Sequence, residues 1–324
     1  MLNERENFLR ALRGEIPEYV PRYSILWTVT PSVFWGDLTP AGGGKDIYGV
    51  EWTSHGSAIM APLPTPGKFL LDDIRKWRDV IRFPDFTGVD WASMAKKDIE
   101  NHDPNLPRGG QIVLTSFFQA LMSFMGFTEG LIACAEEPEE VKALLNCLCD
   151  YILGYGEKML HHYNPDFIMF ADDIAAEQSP FVSPATFHDI FAHVWRRYIK
   201  FFKDRGCLAV HHNCGKFEAF VDDIVDMGFN GWDPAQVTCN DLASIKSKYG
   251  KDFMIITGFD PYTLLPMNKP TEELCRATVK KAMDTFAPGG GFAFHGDIVN
   301  AHPFAPEVIE WVCDAYEQLK GAYY

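Results

Sequence analysis

CLAVHHNCGKFEAFVDDIVDMGFNGW, residues 207–232, decides the fold. Residues 207–210 form an apolar run with the length of a buried strand, and residues 229–232 form a second one. Phe217–Met227 lies between them and predicts a helix that is closed by Gly228. A strand, a helix and a strand in this order predict a right-handed βαβ unit with parallel strands.

The same alternation continues along the chain on both sides of this unit. From Pro138 onwards, apolar residues recur at spacings of three and four, which predicts a helix. The apolar run 167–170 predicts a strand, and Asn240 is the predicted N-cap of a helix that ends at Gly250. Further strands are predicted at residues 19–27, 111–115, 253–257 and 291–295, and further helices begin at Thr271 and Pro306.

Seven or eight βα units in 324 residues fit a (β/α)8 TIM-type barrel, somewhat distorted, better than an open sheet. No GxGxxG follows the first strand, which disfavours a dinucleotide-binding sheet. The proline- and glycine-rich region 39–66 predicts a hairpin, so an N-terminal helical and hairpin extension is expected. We interpret residues 1–324 as a single barrel domain.

The composition narrows the class of protein. Hydrophobic residues make up 47% of the chain and charged residues 23%, as in soluble globular proteins. The net charge of −15 and the lack of a basic run disfavour a nucleic-acid partner. The charged N-terminus lacks the apolar core of a signal peptide, and no stretch approaches a membrane span. The eight cysteines are expected to be reduced thiols in a cytoplasmic protein.

In a barrel, the residues that follow the strands converge on one catalytic face. His212 and Cys214 leave a strand on the same side, so an imidazole and a thiolate can bind one metal ion there. The alternative is a small buried thiol beside a surface-facing imidazole. Other polar and aromatic residues in this position are Trp27, Phe34, Trp35, Phe117, Asp172, Asp173, Asp233, Gln236, Asp260, His295 and Asp297.

Two groups of these residues permit a structural and a functional interpretation. Asp172 and Asp173 can cap a helix, or they can hold a substrate or a metal-linked water. The aromatic residues Trp27, Phe34 and Trp35 can belong to the core, or they can form an apolar or cation-binding pocket at the barrel mouth.

Several longer stretches carry a family resemblance. NERENFLRALRGEIPEYVPR, FTEGLIACAEEPEEVKALL, FIMFADDIAAEQSPFVSPATFHDIF, HHNCGKFEAFVDDIVDMGFNGWDPAQ and DLASIKSKYGKDFMIITGFDP, in this order, resemble the uroporphyrinogen decarboxylase superfamily. Within it, they are most similar to the corrinoid-dependent methyltransferase branch. The resemblance covers nearly the whole chain and implies a distorted (β/α)8 barrel.

The resemblance also separates two branches. The decarboxylases carry an arginine-rich anchor after the first strand, but this chain has no arginine between Arg22 and Arg75. A substrate with many carboxylates therefore finds no cationic clamp there. The methyltransferases bind zinc through His-x-Cys, matched by His212 and Cys214, and through a later cysteine. Here GGGFAFHGDIVN stands at that place, so His295 and Asp297 are the nearest replacements for the third ligand.

The resemblance implies a methyltransferase that moves a methyl group from a methoxylated aromatic or methylated amine to the cobalt of a corrinoid protein. Zinc is the implied metal, with His212, Cys214 and His295 as its predicted ligands. The alternatives are a zinc-dependent corrinoid-to-thiol methyltransferase, a decarboxylase of another acid and a non-catalytic binding protein. The predicted catalytic residues are Asp172, Asp173 and His295, and the predicted substrate-binding residues are Trp27, Phe34, Trp35, Phe117, Gln236 and Asp260.

Overall fold

The computed structural model describes residues 2–23, 26–38, 43–53, 62–113, 116–259, 270–296 and 306–324. Its central strands are β1 (Trp27–Val29), β5 (Arg108–Gly110), β6 (Phe167–Ala171), β7 (Leu208–His212), β8 (Gly231–Asp233), β9 (Met254–Gly258) and β10 (Phe292–His295). They form one parallel sheet in the order β1-β5-β6-β7-β8-β9-β10. A second, antiparallel sheet has the order β2 (Gly43–Lys45), β3 (Glu51–Thr53), β4 (Leu63–Pro64).

Helices connect the strands. They are α1 (Glu4–Leu12), α2 (Trp77–Val80), α3 (Trp91–Asp98), α4 (Phe117–Met125), α5 (Phe127–Glu136), α6 (Pro138–Gly154), α7 (Gly156–Lys158), α8 (Pro184–Thr186), α9 (Ala192–Lys203), α10 (Val221–Met227), α11 (Leu242–Tyr249), α12 (Glu272–Phe286) and α13 (Pro306–Leu319). Among the described residues, no single helix has the length and apolar content of a membrane span. Only α4 and α5 together reach both, and that pair is bent by 111°.

Most predicted helix starts are confirmed, because they depend on local pattern. Pro138 and Pro306 are the first residues of α6 and α13, as expected of proline in the first turn. The predicted Asn240 cap is wrong by one residue. Asp241 accepts the backbone N–H of Ser244 at 3.1 Å instead. The Asn240 side chain accepts the backbone N–H groups of residues 217 and 218, and so it links two loops.

Alternation along the strands separates two hydrophobic clusters. Met169 of β6, Val210 of β7 and Ile256 of β9 pack with Phe8 and other apolar residues of α1. The residues between them face the helices and join the larger cluster. Because successive side chains of a strand point to opposite faces, the sheet is apolar on both of its faces. Helix α1 packs against the smaller cluster, which contains Met169, Val210 and Ile256.

The first two predicted strands are wrong in position. Residues 19–27 are expected to form a strand, but β1 begins at Trp27. Val20 pairs instead with the C-terminal region, where its N–H donates to Lys320 O at 2.9 Å. The strand predicted at 111–115 lies instead at Arg108–Gly110. A Cβ at Gly109 would lie 2.8 Å from the Phe167 ring, so close packing and not an apolar run sets this strand.

The parallel sheet is curled. Arg22, just before β1, forms an isolated parallel bridge with Phe294 of β10, and the N–H of Phe294 donates to Pro21 O at 2.7 Å. These contacts bring the two edge strands of the sheet towards each other. The α/β fold with a parallel sheet is confirmed, but seven strands, not eight, form that sheet in the described ranges. The expected N-terminal extension is present as α1 and the β2-β3-β4 sheet.

Candidate functional site

The carboxyl ends of three neighbouring strands, β6, β7 and β8, form the candidate site. The register pairs Ala171 with His212 and His212 with Asp233. Asp172 and Asp173 follow Ala171 directly. Parallel pairing therefore brings side chains that are more than 20 residues apart in sequence to the same edge of the sheet.

Three half-buried side chains form what we call the donor group: Asp173, His212 and Cys214. A carboxylate oxygen, a ring nitrogen and the sulfur of these residues all lie within 4.8 Å of one another. Cys214 Sγ is 3.9 Å from His212 Nε2. The backbone N–H of Cys214 donates to Asp173 Oδ1 at 2.7 Å. Nitrogen, sulfur and oxygen donors are thus gathered within reach of one ion.

The turn after β7 holds Cys214 in this group. Gly215 has φ +80°, and a Cβ there would lie 2.5 Å from Ala176 O. Glycine is required for both reasons. The N–H of Gly215 donates to Gln236 Oε1 at 2.6 Å, and Asn213 Oδ1 accepts the N–H of Ile174 at 3.1 Å. Gln236, a predicted substrate-binding residue, therefore supports the turn.

Asp233 lies behind His212 and is fully buried. Its Oδ2 is 2.8 Å from His212 Nδ1, so the ring donates from Nδ1 and presents Nε2 to Cys214. Burial lowers the pKa of His212, but the hydrogen bonds to Asp233 and Cys214 outweigh it and leave that pKa well above its usual value. Burial also raises the pKa of the Cys214 thiol.

The donor group suits zinc. Three protein ligands of the N/S/O type leave a fourth position for a substrate, as in catalytic zinc sites. A zinc-binding histidine commonly donates its other ring N–H to a carboxylate, which is the arrangement of His212 and Asp233. His295, a predicted ligand, lies outside the donor group, with its Nε2 3.7 Å from Asp233 Oδ1 and its ring against Tyr23.

A cavity of about 660 Å³ opens onto Asp173 and Cys214. Its walls are mainly apolar, and six of the lining residues are aromatic: Phe34, Trp35, Tyr48, Trp52, Phe127 and Phe181. The residues from the β2-β3-β4 sheet and the segments around it contribute about half of the lining. Among the described lining residues there is no lysine, arginine or histidine. The cavity therefore suits a neutral apolar ligand, or an organic cation with an apolar body, better than an anion.

The structure separates the predicted aromatic residues. Phe34 and Trp35 line the cavity. Trp27 stacks on His102 with 5.1 Å between ring centroids, away from the described lining. Phe117 is fully buried and packs against Phe170 and a tyrosine of α9. The predicted substrate-binding residue Asp260 lies outside the described residues.

Asp172 and Asp173 have different partners. Asp172 is fully buried, and its two oxygens accept the N–H groups of Phe118 and Gln119 in the first turn of α4 and the indole N–H of Trp195. Burial raises its pKa to about 7, although these hydrogen bonds oppose the shift. The structure thus gives Asp172 the position of a helix-capping group, whereas Asp173 faces the cavity.

Sequence reasoning assigned no role to Asp233, Gln119 or Tyr48. Asp233 was visible only as a polar residue at a strand end, because its contact with His212 depends on the register between β7 and β8. Gln119 lines the cavity and donates to Asp173 Oδ2 at 3.1 Å. Tyr48 lies within the predicted hairpin region 39–66, and nothing in its local pattern indicates a cavity wall.

Comparisons with known proteins agree with this fold. Two proteins described as "Methylcobamide:CoM methyltransferase MtaA", from Methanosarcina barkeri and its strain Fusaro, are each 26% identical over 187 residues, which is 57% of this chain and 51% of theirs. The chain thus spans about half the length of the curated relatives it matches. A solved "methyltransferase from Methanosarcina mazei" superposes with a TM-score of 0.65 at 17% identity, over 98% of this chain and 99% of that one.

The family itself is shown by a sequence profile. The profile described as uroporphyrinogen decarboxylase (URO-D) matches residues 110–311. This range covers well over half of the chain and contains β6 to β10 with all three members of the donor group. The resemblance found in the sequence motifs is therefore confirmed. The chain belongs to the uroporphyrinogen decarboxylase family.

Proposed function

We propose that this protein is a corrinoid-dependent methyltransferase that moves a methyl group from a methoxylated aromatic compound to the cobalt of a corrinoid carried by a partner protein. The observation that carries the proposal is the apolar, aromatic-containing cavity whose lining includes Asp173 and Cys214. The methyltransferase names of the relatives support the reaction class. We propose a single barrel domain over residues 1–324 as the unit that performs it.

Cavity size and charge favour a methoxylated aromatic as the donor. A volume of about 660 Å³ lies in the range of pockets for drug-sized ligands and is far larger than a methylated amine needs. The flat indoles of Trp35 and Trp52 offer faces for ring stacking. A methylated amine remains the alternative donor, because aromatic faces also attract cations.

The chain's own residues position the donor and exclude water. The aromatic side chains of the lining hold the ring so that its methoxy group reaches Asp173 and Cys214, which line the same cavity. In the transfer, the electron pair of Co(I) forms the cobalt–carbon bond, and the methyl–oxygen bond breaks with its electron pair remaining on the phenolate oxygen. Asp173, His212 and Cys214 would hold zinc, which acts as a Lewis acid towards an ether or phenolate oxygen.

A thiol acceptor is the second candidate function. The names of the two curated relatives include a methylcobamide and CoM, and zinc with a thiolate ligand can activate a thiol. Two observations place this candidate second. The donor group contains one sulfur, and the described cavity lining has no basic side chain to bind an anionic thiol.

Methyl transfer to cobalt tests the proposal directly. Zinc-loaded protein is mixed anaerobically with free cob(I)alamin and a methoxybenzene, and the visible spectrum should shift to that of methylcobalamin. Trimethylamine replaces the arene in a second reaction, and methylcobalamin with a thiol replaces both in a third. Cys214→Ala should abolish transfer, whereas the change of an exposed thiol, Cys313→Ala, should leave it intact. Transfer only to the thiol would establish the second candidate instead.

A further inference from the structure

Asp233 has a feature that the donor group alone does not explain. It is fully buried, and its Oδ1 has no hydrogen-bond partner within the described ranges. Buried polar atoms are nearly always hydrogen-bonded, and a buried charge is costly unless it is paired. A carboxylate in this position therefore needs a reason beyond packing.

Two histidines flank this carboxylate. His212 Nδ1 lies 2.8 Å from Oδ2, and His295 Nε2 lies 3.7 Å from Oδ1. The three residues come from three different strands, β7, β8 and β10, which the parallel sheet holds in the order β7-β8-β9-β10. The 3.7 Å separation is too long for a hydrogen bond but short enough for electrostatic attraction. His295 thus faces the carboxylate oxygen that His212 does not use.

We propose that Asp233 is a positioning residue, which keeps the His212 ring in the orientation and tautomer that direct Nε2 towards Asp173 and Cys214. A carboxylate can only accept, so it retains the proton on Nδ1 and leaves the lone pair of Nε2 for a metal. His295 is the second electrostatic partner of the same buried carboxylate and not a metal ligand. This inference rests on the proposed function, because it concerns the same metal site.

Zinc affinity tests the inference without an activity assay. Competition with a chromophoric chelator is measured for the full-length wild type and for Asp233→Asn, which removes the charge with little change in volume. The expected loss of affinity is about 10- to 100-fold. Asp166→Asn is the matched control, since Asp166 is an almost buried aspartate before β6, paired with Arg5 and remote from the site. Its zinc affinity should stay within about twofold of the wild type.

The tautomer provides a readout that a structural role would not change. Long-range ¹H–¹⁵N spectra of the metal-free wild type, recorded at a pH where the ring is neutral, should show His212 protonated at Nδ1 and unprotonated at Nε2, because bound zinc would itself fix the tautomer. The opposite tautomer in the wild type overturns the inference even if Asp233→Asn does not fold. Zinc affinity equal in Asp233→Asn, Asp166→Asn and the wild type overturns it as well, while the zinc site itself stands. A wild type that binds no zinc overturns the proposed site together with the inference.

Discussion

Asp173 Oδ1 accepts the backbone N–H of Cys214 at 2.7 Å, so the first residue pair after β6 is tied directly to the turn after β7. This bond places the carboxylate beside the thiol without any contribution from a metal. The third donor, His212, is oriented independently by Asp233. Hydrogen bonds within the chain therefore assemble the site before an ion is added.

Metal content should depend on the donor group and not on His295. Wild-type protein reconstituted with zinc and desalted should retain about one ion per chain. We expect Asp173→Ala, His212→Ala and Cys214→Ala each to retain much less, because each removes one of three ligands. His295→Ala should still retain about one ion, since that ring lies beside Asp233 and outside the donor group. Elemental analysis measures the content, and zinc loss only in His295→Ala would contradict this assignment.

Gly215 should be far more sensitive to alanine than Gly206. Both glycines have left-handed backbones, with φ +80° and +76°. A Cβ at Gly206 meets no described atom within 4 Å, whereas one at Gly215 would lie 2.5 Å from Ala176 O. Gly206→Ala should cost about 1 kcal/mol of unfolding free energy from backbone conformation. Gly215→Ala should cost clearly more and should also weaken zinc binding. Urea unfolding and chelator competition measure the two effects, and equal costs would count against the close approach.

Trp52 should contribute strongly to binding of the aromatic donor. Its indole lines the cavity and is fixed by a 2.9 Å hydrogen bond from Nε1 to Asp46 Oδ2. Trp52→Ala removes the apolar surface that this indole buries against the ligand. Burial of a large side chain is worth about 1.5–3 kcal/mol, so the Kd of a methoxylated aromatic should rise about 10- to 100-fold. Trp27→Ala serves as the control, because Trp27 stacks on His102 outside the described lining. Isothermal titration calorimetry measures both, and a larger effect at Trp27 would restore its predicted substrate-binding role.

Lys246 should make stability increase with pH above about 8. It donates to the carbonyls of Gly250 and Gly290, and burial lowers its pKa from 10.5 to about 8. Between these values the folded state binds fewer protons at this site than the unfolded state, so the free energy of unfolding rises with pH. Below about pH 8 both states are protonated, and the cost of burying the charge is fully present.

Removal of the charge tests this pH dependence. In Lys246→Met, the part of the increase in unfolding free energy with pH that comes from this lysine should be absent. Lys96→Met, at an exposed position of α3, should keep that increase. Urea unfolding of the wild type and both variants at pH 7 and 9.5 gives the comparison. The difference between variant and wild type isolates Lys246 from other groups that titrate in this range. The same pH slope in all three proteins would contradict the prediction.

Local sequence patterns predicted the fold well where side chains alone determine the element. The apolar periodicity after Pro138 predicted α6, and the apolar runs at 167–170 and 207–210 predicted β6 and β7. The pattern failed at β5, because Arg108–Gly110 contains no apolar run and its glycines are set by packing against Phe167. It also placed the first strand too early, since residues 19–22 are held by contacts with β10 and the C-terminal region.

The site was predictable only in part, because some of its contacts join segments that are distant in sequence. His212, Cys214 and Asp173 follow predicted strands, and the rule that strand ends converge brings them together. The role of Asp233 depends on interstrand register, and the cavity wall at Tyr48 belongs to a turn of the separate β2-β3-β4 sheet. Neither relation is encoded in a local pattern. The predicted third ligand His295 and the actual neighbour Asp173 lie at different strand ends, and only the fold distinguishes their positions.

X-ray absorption spectroscopy at the zinc edge tests the central claim, a mixed donor group, most directly. Zinc-loaded wild-type protein should show one sulfur scatterer at about 2.3 Å, from Cys214, with the remaining scatterers being nitrogen or oxygen at about 2.0–2.2 Å. In Cys214→Ala reconstituted under excess zinc, the sulfur scatterer should disappear. Two or more sulfur scatterers in the wild type, or zinc with no sulfur at all, would contradict the account.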